Sequence, residues 1–351
     1  MIPKQRVYNA LERREVDRVP MSMWYHPAIY GMFQECYGWD KDTADSMLGN
    51  DIKSVHVSIN REMFRSLEPG EVFVDDWGVS WTREGWYNQV CCNPLADSDA
   101  SSLIDYRFPD PYNVERYKPL SQLCDQYCDE YFIGVDVSGS IFEPCYHIRS
   151  MEKLLVDMLV DREAVEVFFD HAAEFTKQLC LQALKYPVDW IWLGDDVGGQ
   201  EAMMMSPILW RELLKPRLAS IITAIKTERP GVLLAYHSCG AIRPIIGDLI
   251  EIGVDVLNPI QPLCPGMNPL ELKQEFGSEL AFMGGLDTQE LLIYATAEEV
   301  YRQTRSLIEG MSTGGGYIMA ASHTIQPDTP LENILAISRA VGGLSSNHLA
   351  S

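Results

Sequence analysis

The fold is decided by a stretch in the second half of the chain with the sequence GVLLAYHSCG (residues 231–240). It is an almost unbroken apolar run that ends on His237, Ser238, Cys239 and Gly240. Such a run is typical of a parallel strand that is covered by helices on both faces. We therefore predict a buried strand here, with polar side chains collected at its carboxyl end.

Similar apolar runs lie on both sides of this stretch and alternate with helical segments. Helix starts are indicated by the N-cap Asn268 and by a capping box at Thr296, and helix ends by Gly277 and Gly310. This alternation predicts an α/β fold. A single (β/α)8 TIM-type barrel is favoured over an open doubly wound sheet, because no nucleotide-binding glycine motif is present. The other predicted strands are 17–25, 131–137, 188–196, 254–261, 280–287 and 315–322.

Residues 60–125 depart from the alternation of strands and helices. The segment VFVDDWGVSWTREGWYNQV (72–90) alternates like a hairpin, and SDASSLIDYRFPDPYN (98–113) has the composition of a polar loop. We expect residues 60–125 to be an inserted hairpin and loop segment over one mouth of the barrel. The predicted domain organisation is one barrel over residues 1–345, followed by a C-terminal tail of 346–351.

The charge balance limits the partners of this chain. It has 351 residues with 50 acidic and 28 basic side chains, a formal net charge of −22. This charge argues against nucleic acid or an anionic membrane as a partner. No membrane-length apolar stretch or signal peptide is apparent, and the nine cysteines show no disulfide framework, so we expect a cytoplasmic protein. The oligomeric state is left open, with a homodimer as one option.

The carboxyl ends of the predicted strands carry polar side chains, as expected for the active-site face of a barrel. Alternate residues of a strand face the same side, so His237 and Cys239 can bind one ion. His323 follows the last strand and is the predicted third ligand of a zinc ion with an open fourth position. Asp195 or Asp196 is an alternative ligand. In the simpler alternative, Cys239 packs as an apolar residue and His237 contacts substrate.

The stretch LGDDVGG (193–199) supplies the predicted catalytic carboxylates, Asp195 and Asp196. Adjacent strand residues point in opposite directions, so one of the two is expected to face the mouth. Asp136 also ends a predicted strand, without an assigned role. The residues predicted to bind substrate are Trp24, Tyr25, His26, Tyr146, Asn258, Gln261 and Asp287.

Six motifs together resemble the uroporphyrinogen decarboxylase superfamily, in this order and over nearly the whole chain. This resemblance implies a single distorted (β/α)8 barrel. It also implies one of two activities, since the superfamily holds decarboxylases and cobalamin-dependent methyltransferases that use zinc. The motifs are RREVDRVP (13–20), DDWGVSW (75–81), GDDVGGQEAMMMSPILW (194–210), HSCGAIRPIIGDLIEIGVDVLNPIQP (237–262), GGLDTQELL (284–292) and GGYIMAASHTIQPDTPLENILA (315–336).

The stretch after the first predicted strand separates the two branches. The decarboxylases have an arginine-rich motif there that is similar to R-Q-A-G-R-Y and grips the carboxylates of the porphyrinogen. This chain has MWYHPAIY (23–30), without arginine. A substrate with eight carboxylates would be poorly bound by such a pocket on a chain of charge −22. The methyltransferase branch is therefore favoured.

The methyltransferases use an H-x-C pair and a distant cysteine as zinc ligands. His237 and Cys239 match this pattern, whereas His323 replaces the distant cysteine. A neutral imidazole in place of a thiolate leaves the zinc site one charge unit more positive and a stronger Lewis acid. The resemblance thus implies a methyltransferase component that moves a methyl group between a small methylated substrate, such as a methyl ether, and a corrinoid (cobalamin) on a partner protein.

This prediction places the chain in O-demethylation and one-carbon metabolism. Three alternatives stay open on the sequence alone. One is a lyase of the uroporphyrinogen decarboxylase type. Another is a different lyase or hydrolase on the same barrel. The third is a module without catalysis that binds a corrinoid protein.

Overall fold

In the computed structural model, residues 1–58 and 67–344 are described. The strands are β1 Ile52–His56, β2 Val72–Val74, β3 Ser80–Glu84, β4 Tyr87–Cys92, β5 Phe132–Asp136, β6 Trp190–Gly194, β7 Leu233–His237, β8 Val256–Asn258, β9 Ala281–Leu286 and β10 Tyr317–Ala321. The helices are α1 Pro3–Leu11, α2 Pro27–Tyr37, α3 Lys41–Leu48, α4 Ser102–Asp105, α5 Lys118–Tyr127, α6 Phe142–Arg149, α7 Met151–Val160, α8 Arg162–Ala183, α9 Pro207–Leu213, α10 Lys215–Glu228, α11 Ile246–Glu251, α12 Pro269–Phe276, α13 Leu291–Tyr294, α14 Ala297–Ser312 and α15 Leu331–Val341. Short 3-10 turns lie at Val114–Tyr117 and Arg243–Ile245.

The main sheet confirms the predicted α/β barrel. Seven strands run parallel in the order β1-β5-β6-β7-β8-β9-β10. The extended segment around Met21 closes the ring between the two outer strands. On one side, the amide of Met319 donates to the carbonyl of Pro20, and the amide of Ser22 donates to the carbonyl of Met319. On the other side, the amide of Asp51 donates to the carbonyl of Met21.

The interior of the barrel is filled by large side chains. Trp190 and Trp192 on β6 point inward and are 1% and 3% exposed. Gly134 on the neighbouring strand β5 makes this packing possible, because a Cβ there would lie 2.2 Å from Trp190 Nε1. Polar residues such as His237 and Asn258 end the strands above this apolar layer. The inward core comprises Val7, Leu11, Ile52, Phe132, Trp190, Trp192, Ala235, Val256, Ala281, Met283, Ile318 and Ala320.

Strand β1 was not predicted from the sequence, because Lys53 and Ser54 interrupt its short apolar run. It pairs in register with β5 and brings His56 beside Asp136. Helix α5, which begins inside the segment 60–125 and ends at Tyr127, contacts both β1 and β5 and thus belongs to the barrel wall.

The hairpin predicted within residues 72–90 forms part of a three-stranded antiparallel sheet with the order β2-β3-β4. Its tip touches the barrel mouth, where Tyr87 Oη donates to Gln326 Oε1 at 2.6 Å and His26 Nε2 lies 3.2 Å from the carbonyl of Trp86. Residues 60–66 of the predicted insertion and the predicted tail 346–351 lie outside the described residues.

The helix signals were confirmed at most positions. Asn268 accepts from the amides at the start of α12, and Thr296 Oγ1 accepts from the amide of Glu299 in α14. Gly277 ends α12, but the prediction for Gly310 was wrong because it lies inside α14. Among residues 1–58 and 67–344, no helix has the length and apolar character needed to cross a membrane.

Candidate active site

Three side chains that can bind a metal converge at the carboxyl ends of β7 and β10. His237 is the last residue of β7, Cys239 follows two positions later, and His323 follows β10. Their ligand atoms all lie within 4.8 Å of one another, and Cys239 Sγ is 3.6 Å from His237 Nε2. Tetrahedral zinc with ordinary Zn–N and Zn–S bonds separates such atoms by roughly 3.5 Å. The His237–Cys239 pair already has this spacing.

Asn258 fixes the orientation of the His237 ring. It ends β8 directly opposite His237, and its Oδ1 lies 2.8 Å from His237 Nδ1. Its Nδ2 donates to the buried carbonyl of Met283 at 3.3 Å, which assigns Oδ1 as the acceptor toward the ring. His237 Nδ1 therefore holds the proton, and the lone pair on Nε2 points toward Cys239. This is the usual arrangement for a histidine ligand.

Asp196 holds Cys239 from the other side. Its Oδ1 accepts from the Cys239 amide at 2.7 Å and lies 3.6 Å from His237 Nε2. Burial raises the pKa of the Cys239 thiol well above its ordinary value, and the negative Asp196 adds to this shift. The thiol is therefore protonated at neutral pH unless a cation displaces its proton.

His323 contributes a neutral imidazole. The residue retains contact with solvent, yet desolvation of its ring lowers the pKa of His323, and the nearby His237 lowers it further. The ring centroids of the two histidines are 6.4 Å apart. A histidine with a lowered pKa keeps its lone pair available at neutral pH, which suits a metal ligand.

Two glycines bring the loops after β6 and β7 into backbone contact beneath Cys239. A Cβ on Gly198 would lie 2.4 Å from the carbonyl oxygen of Cys239. Gly240 has a φ of +83°, and a Cβ there would lie 2.4 Å from the carbonyl carbon of Gly198. Gln261 Oε1 accepts a hydrogen bond from the Gly240 amide. The loop that carries the Cys239 thiol is thus held in place by the close backbone contact at Gly198 and Gly240 and by the side chain of Gln261.

His237 and His323 line a cavity of about 340 Å³, whereas Cys239 is not among its described lining residues. Trp24 and Trp192 form one wall, with ring centroids 5.1 Å apart, and each lies 6.1 Å from the ring of His237. Neither lysine nor arginine is among the described residues that line it. The lining residues are Trp24, Ser54, Val55, His56, Asp136, Ser138, Trp192, His237, His323 and Thr324.

The cavity lining also contains a contact between the side chains of β1 and β5. His56 Nε2 lies 2.8 Å from Asp136 Oδ2, and the amide of Ser138 donates to Asp136 Oδ1 at 2.8 Å. Burial opposes ionisation of Asp136, but His56 and Ser138 outweigh it and hold the pKa of the carboxyl below its ordinary value. His56 and Trp192 were not predicted from the sequence as site residues. Alternation in KSVHVS, a weak strand pattern, was the available signal for His56.

Comparison with known proteins places this fold and site in a family. The family model described as uroporphyrinogen decarboxylase (URO-D) matches residues 99–344. The chain belongs to the URO-D family. Most of the barrel, including His237, Cys239 and His323, falls within the matched part of this URO-D chain.

The relatives of this URO-D chain are named for two different activities, decarboxylation and methyl transfer. A uroporphyrinogen decarboxylase of Legionella pneumophila (strain Corby) is 22% identical over 264 residues, which are 73% of this chain and 71% of the relative. A methylated-thiol–coenzyme M methyltransferase of Methanosarcina mazei is 26% identical over 200 residues, 55% of this chain and 48% of the relative. A methylcobamide:CoM methyltransferase of Methanosarcina barkeri is 24% identical over 152 residues, 43% of this chain and 41% of the relative.

A solved structure confirms the fold over nearly the full length. The structure of a methyltransferase from Methanosarcina mazei matches with a TM-score of 0.73 and 17% identity. The match covers 97% of this chain and 98% of that chain. At this identity the likeness concerns the fold alone.

The two adjacent carboxylates of the URO-D chain have different surroundings. Asp196 lies beside the ligand group, whereas Asp195 turns to the start of α6 and accepts from the amides of Ile141 at 3.0 Å and Glu143 at 2.9 Å. Burial raises the pKa of Asp195 to about 7, although these amides favour its charged form. The structure therefore places Asp195 in a helix-capping position, away from the cavity.

Glu143 and Tyr146 form a second group behind Asp196. Tyr146 Oη donates to Glu143 Oε1 at 3.3 Å. Burial raises the pKa of Glu143, and the charges of Asp196 and Asp195 raise it further. Glu143 was not singled out from the sequence, since it lies in a helix start rather than at a strand end.

Three other predicted residues lie outside the cavity lining. Tyr25 is buried and packs edge-on against Tyr30, with centroids 5.7 Å apart. His26 caps α2, because its Nδ1 accepts an amide hydrogen from the first turn of that helix. Asp287 accepts from the amides of residues 289–291 and thus stabilises the turn before α13. The structure gives each of them a local hydrogen-bonding or packing contact instead of a place near His237.

Proposed function

We propose that this URO-D family chain is a methyltransferase component that transfers a methyl group from a small methylated substrate to a corrinoid on a partner protein. The observation that carries the proposal is the convergence of His237, Cys239 and His323 within 4.8 Å beside a small cavity. The names of two relatives, both methyltransferases, support the choice of activity.

The ligand atoms present fit zinc. Two imidazoles and one thiol are donors that zinc prefers, and three protein ligands leave one position for the substrate. The orientation of His237 by Asn258 adds the outer support that zinc sites usually have. Zinc bound there would act as a Lewis acid on the heteroatom that bears the methyl group. With one thiolate and two neutral imidazoles, the site suits the oxygen of a methyl ether.

The residues around the ligands would prepare this chemistry. Asp196 lies against Cys239 and can accept the thiol proton when a cation binds. Trp24 and Trp192 wall the cavity and exclude water from the methyl group as it leaves. Exclusion of water protects a reduced corrinoid acceptor and strengthens the electrostatic interactions within the cavity. Catalysis would thus depend on positioning and polarisation by this chain, with the acceptor brought by the partner protein.

The alternative activity of the family, decarboxylation of uroporphyrinogen, is not favoured by the cavity. Its described lining has no lysine or arginine, and residues 23–30 contain no arginine. A substrate with eight carboxylates needs such cations for binding. We therefore expect no conversion of uroporphyrinogen by the purified protein.

Zinc analysis combined with a methyl-transfer assay tests the proposal. Protein purified without chelators should contain close to one zinc ion per chain. It should also transfer methyl groups from methoxybenzene derivatives to cob(I)alamin. Cys239→Ala should lower the zinc content and abolish methyl transfer together, because the metal loses its anionic ligand. The matched control is Cys36→Ala, which removes an exposed thiol far along the chain from the ligands and should change neither property.

Two results would contradict the proposal. One is the absence of zinc in the purified protein together with full methyl transfer by the alanine variants of all three ligands. The other is turnover of uroporphyrinogen at ordinary enzymatic rates.

A further inference from the structure

The lining of the cavity also contains a charged group without a place in the proposed function. Asp136 ends β5, its side chain is 13% exposed, and it faces the cavity. Asp136 pairs in register with His56 on one neighbouring strand and Trp192 on the other. Neighbouring residues in register point to the same side of a parallel sheet. These three side chains therefore form one layer inside the barrel.

The ligand residues lie one layer higher. His237 pairs with Gly194, which is two residues beyond Trp192 along β6. Two residues of a parallel strand correspond to about 6.6 Å. The carboxylate of Asp136 and the imidazole of His237 thus mark two ends of the same small cavity, with Trp24 and Trp192 along its side.

Two donors from the chain keep Asp136 ionised and fixed. His56 Nε2 occupies one lone pair of Oδ2, and the Ser138 amide occupies one lone pair of Oδ1. An ionised carboxylate only accepts hydrogen bonds and has about four acceptor sites. Within residues 1–58 and 67–344, these two are the contacts at the carboxylate oxygens, so each oxygen keeps acceptor capacity that a ligand in the cavity can use.

The electrostatics of the cavity select the ligand. An anionic group next to Asp136 would meet a like charge, and the described lining has no lysine or arginine to offset it. An apolar group there would strip water from the carboxylate without replacing its hydrogen bonds, which is costly in a buried site. A hydroxyl group satisfies the carboxylate and adds no charge.

We infer that the cavity takes an uncharged methyl ether that also bears a hydroxyl group, and that Asp136 accepts a hydrogen bond from this hydroxyl. In this assignment, which rests on the proposed methyl transfer, Asp136 determines specificity and His56 positions it. The methoxy oxygen then lies toward His237, and the hydroxyl lies one layer below, beside Asp136.

Ligand binding tests this inference without any methyl transfer. Isothermal titration calorimetry on the zinc-loaded protein would compare 2-, 3- and 4-methoxyphenol with methoxybenzene and 4-methoxybenzoate. The three isomers scan the separation of the hydroxyl and methoxy groups. The best isomer should bind roughly 10- to 100-fold more tightly than methoxybenzene, as expected for a hydrogen bond to a charged group. The benzoate should bind more weakly than methoxybenzene.

Substitution at Asp136 should remove this preference. In Asp136→Asn, the best methoxyphenol and methoxybenzene should bind within about threefold of each other, since the amide lacks the charge. His56→Gln tests the positioning role if Asp136→Asn fails to fold, and it should reduce the preference in part. Asp287→Asn is the matched control, because it makes the same change at the end of β9, outside the cavity, and should keep the full preference.

The outcomes separate this inference from the proposed function. Equal binding of methoxyphenols and methoxybenzene by the unmodified protein, or failure of all of them to bind, would overturn the inference. A full preference in both Asp136→Asn and His56→Gln would also overturn it. Zinc content and methyl transfer measured on the same samples report on the proposed function alone. A hydroxyl preference in a protein that transfers no methyl group would leave this assignment standing while the proposed function fails.

Discussion

Replacement of Asn258 by alanine should weaken zinc binding although Asn258 is not a ligand. In the structure its Oδ1 lies 2.8 Å from His237 Nδ1 and fixes the ring so that Nε2 faces Cys239. Without this acceptor, His237 can rotate or place its proton on Nε2, and either change removes a metal ligand. Loss of such an outer partner typically costs 10- to 100-fold in metal affinity, or about 1.4 to 2.7 kcal/mol.

The same substitution removes a second hydrogen bond. Asn258 is 1% exposed, and its Nδ2 donates to the carbonyl of Met283 at 3.3 Å. An unpaired buried carbonyl costs about 1 to 3 kcal/mol. The unfolding free energy of the metal-free protein should therefore fall by this amount in Asn258→Ala. Unfolding in denaturant would measure this fall separately from the effect on zinc.

Competition with a chromogenic chelator would give the zinc affinities of the variants. Asn258→Asp is the control, because it keeps an acceptor for His237 Nδ1 while it replaces the donor to Met283 by a buried carboxyl oxygen. It should retain most of the zinc affinity and still lose stability. An unchanged zinc affinity in folded Asn258→Ala would refute the role assigned to this residue and with it the orientation of His237 as a ligand.

Two further predictions concern the elements around the site. Burial raises the pKa of Asp195 to about 7. The folded protein therefore binds the Asp195 proton more tightly than the unfolded chain does. As a result, the contribution of Asp195 to the free energy of unfolding falls as the pH rises from about 4 to 7. The melting temperature of Asp195→Asn should therefore fall less between pH 4 and pH 7 than that of the unmodified protein. Parallel plots of melting temperature against pH for the two proteins would contradict the raised pKa. Gly240→Ala should destabilise the protein by about 1 to 3 kcal/mol, because alanine is strained at a φ of +83° and its Cβ would meet Gly198. It should also lower zinc affinity by displacing Cys239, and denaturant unfolding with zinc titration would reveal either effect.

The sequence by itself determined the barrel and the metal-ligand candidates. Both follow from local patterns, since near-continuous apolar runs such as GVLLAYHSCG specify parallel strands. Alternation along one strand places His237 and Cys239 on one side, whatever surrounds them. Residues 23–30 contain no arginine, whereas the decarboxylases have an arginine-rich motif at this place. This difference can be read directly from the sequence, which therefore also disfavours a polyanionic substrate.

Tertiary structure decided which polar residues share the cavity. Asp195 and Asp196 are equivalent in the sequence, and only the position of the α6 amides shows that Asp195 caps a helix while Asp196 contacts Cys239. Tyr25, which directly follows Trp24, turns into the core, whereas Trp24 lines the cavity. Such differences depend on backbone amides and packed rings from distant segments, which no local pattern contains.

The pairing of His56 with Asp136 could come only from the assembled sheet. The two residues are 80 positions apart, and β1 is too short and too polar for periodicity to reveal it. Parallel pairing of β1 with β5 brings them within 2.8 Å, because register in a sheet is set by hydrogen bonds between strands. The types of side chain at the mouth of the barrel can be predicted from the sequence. Their neighbours across the cavity are a consequence of strand order, register and closure of the ring.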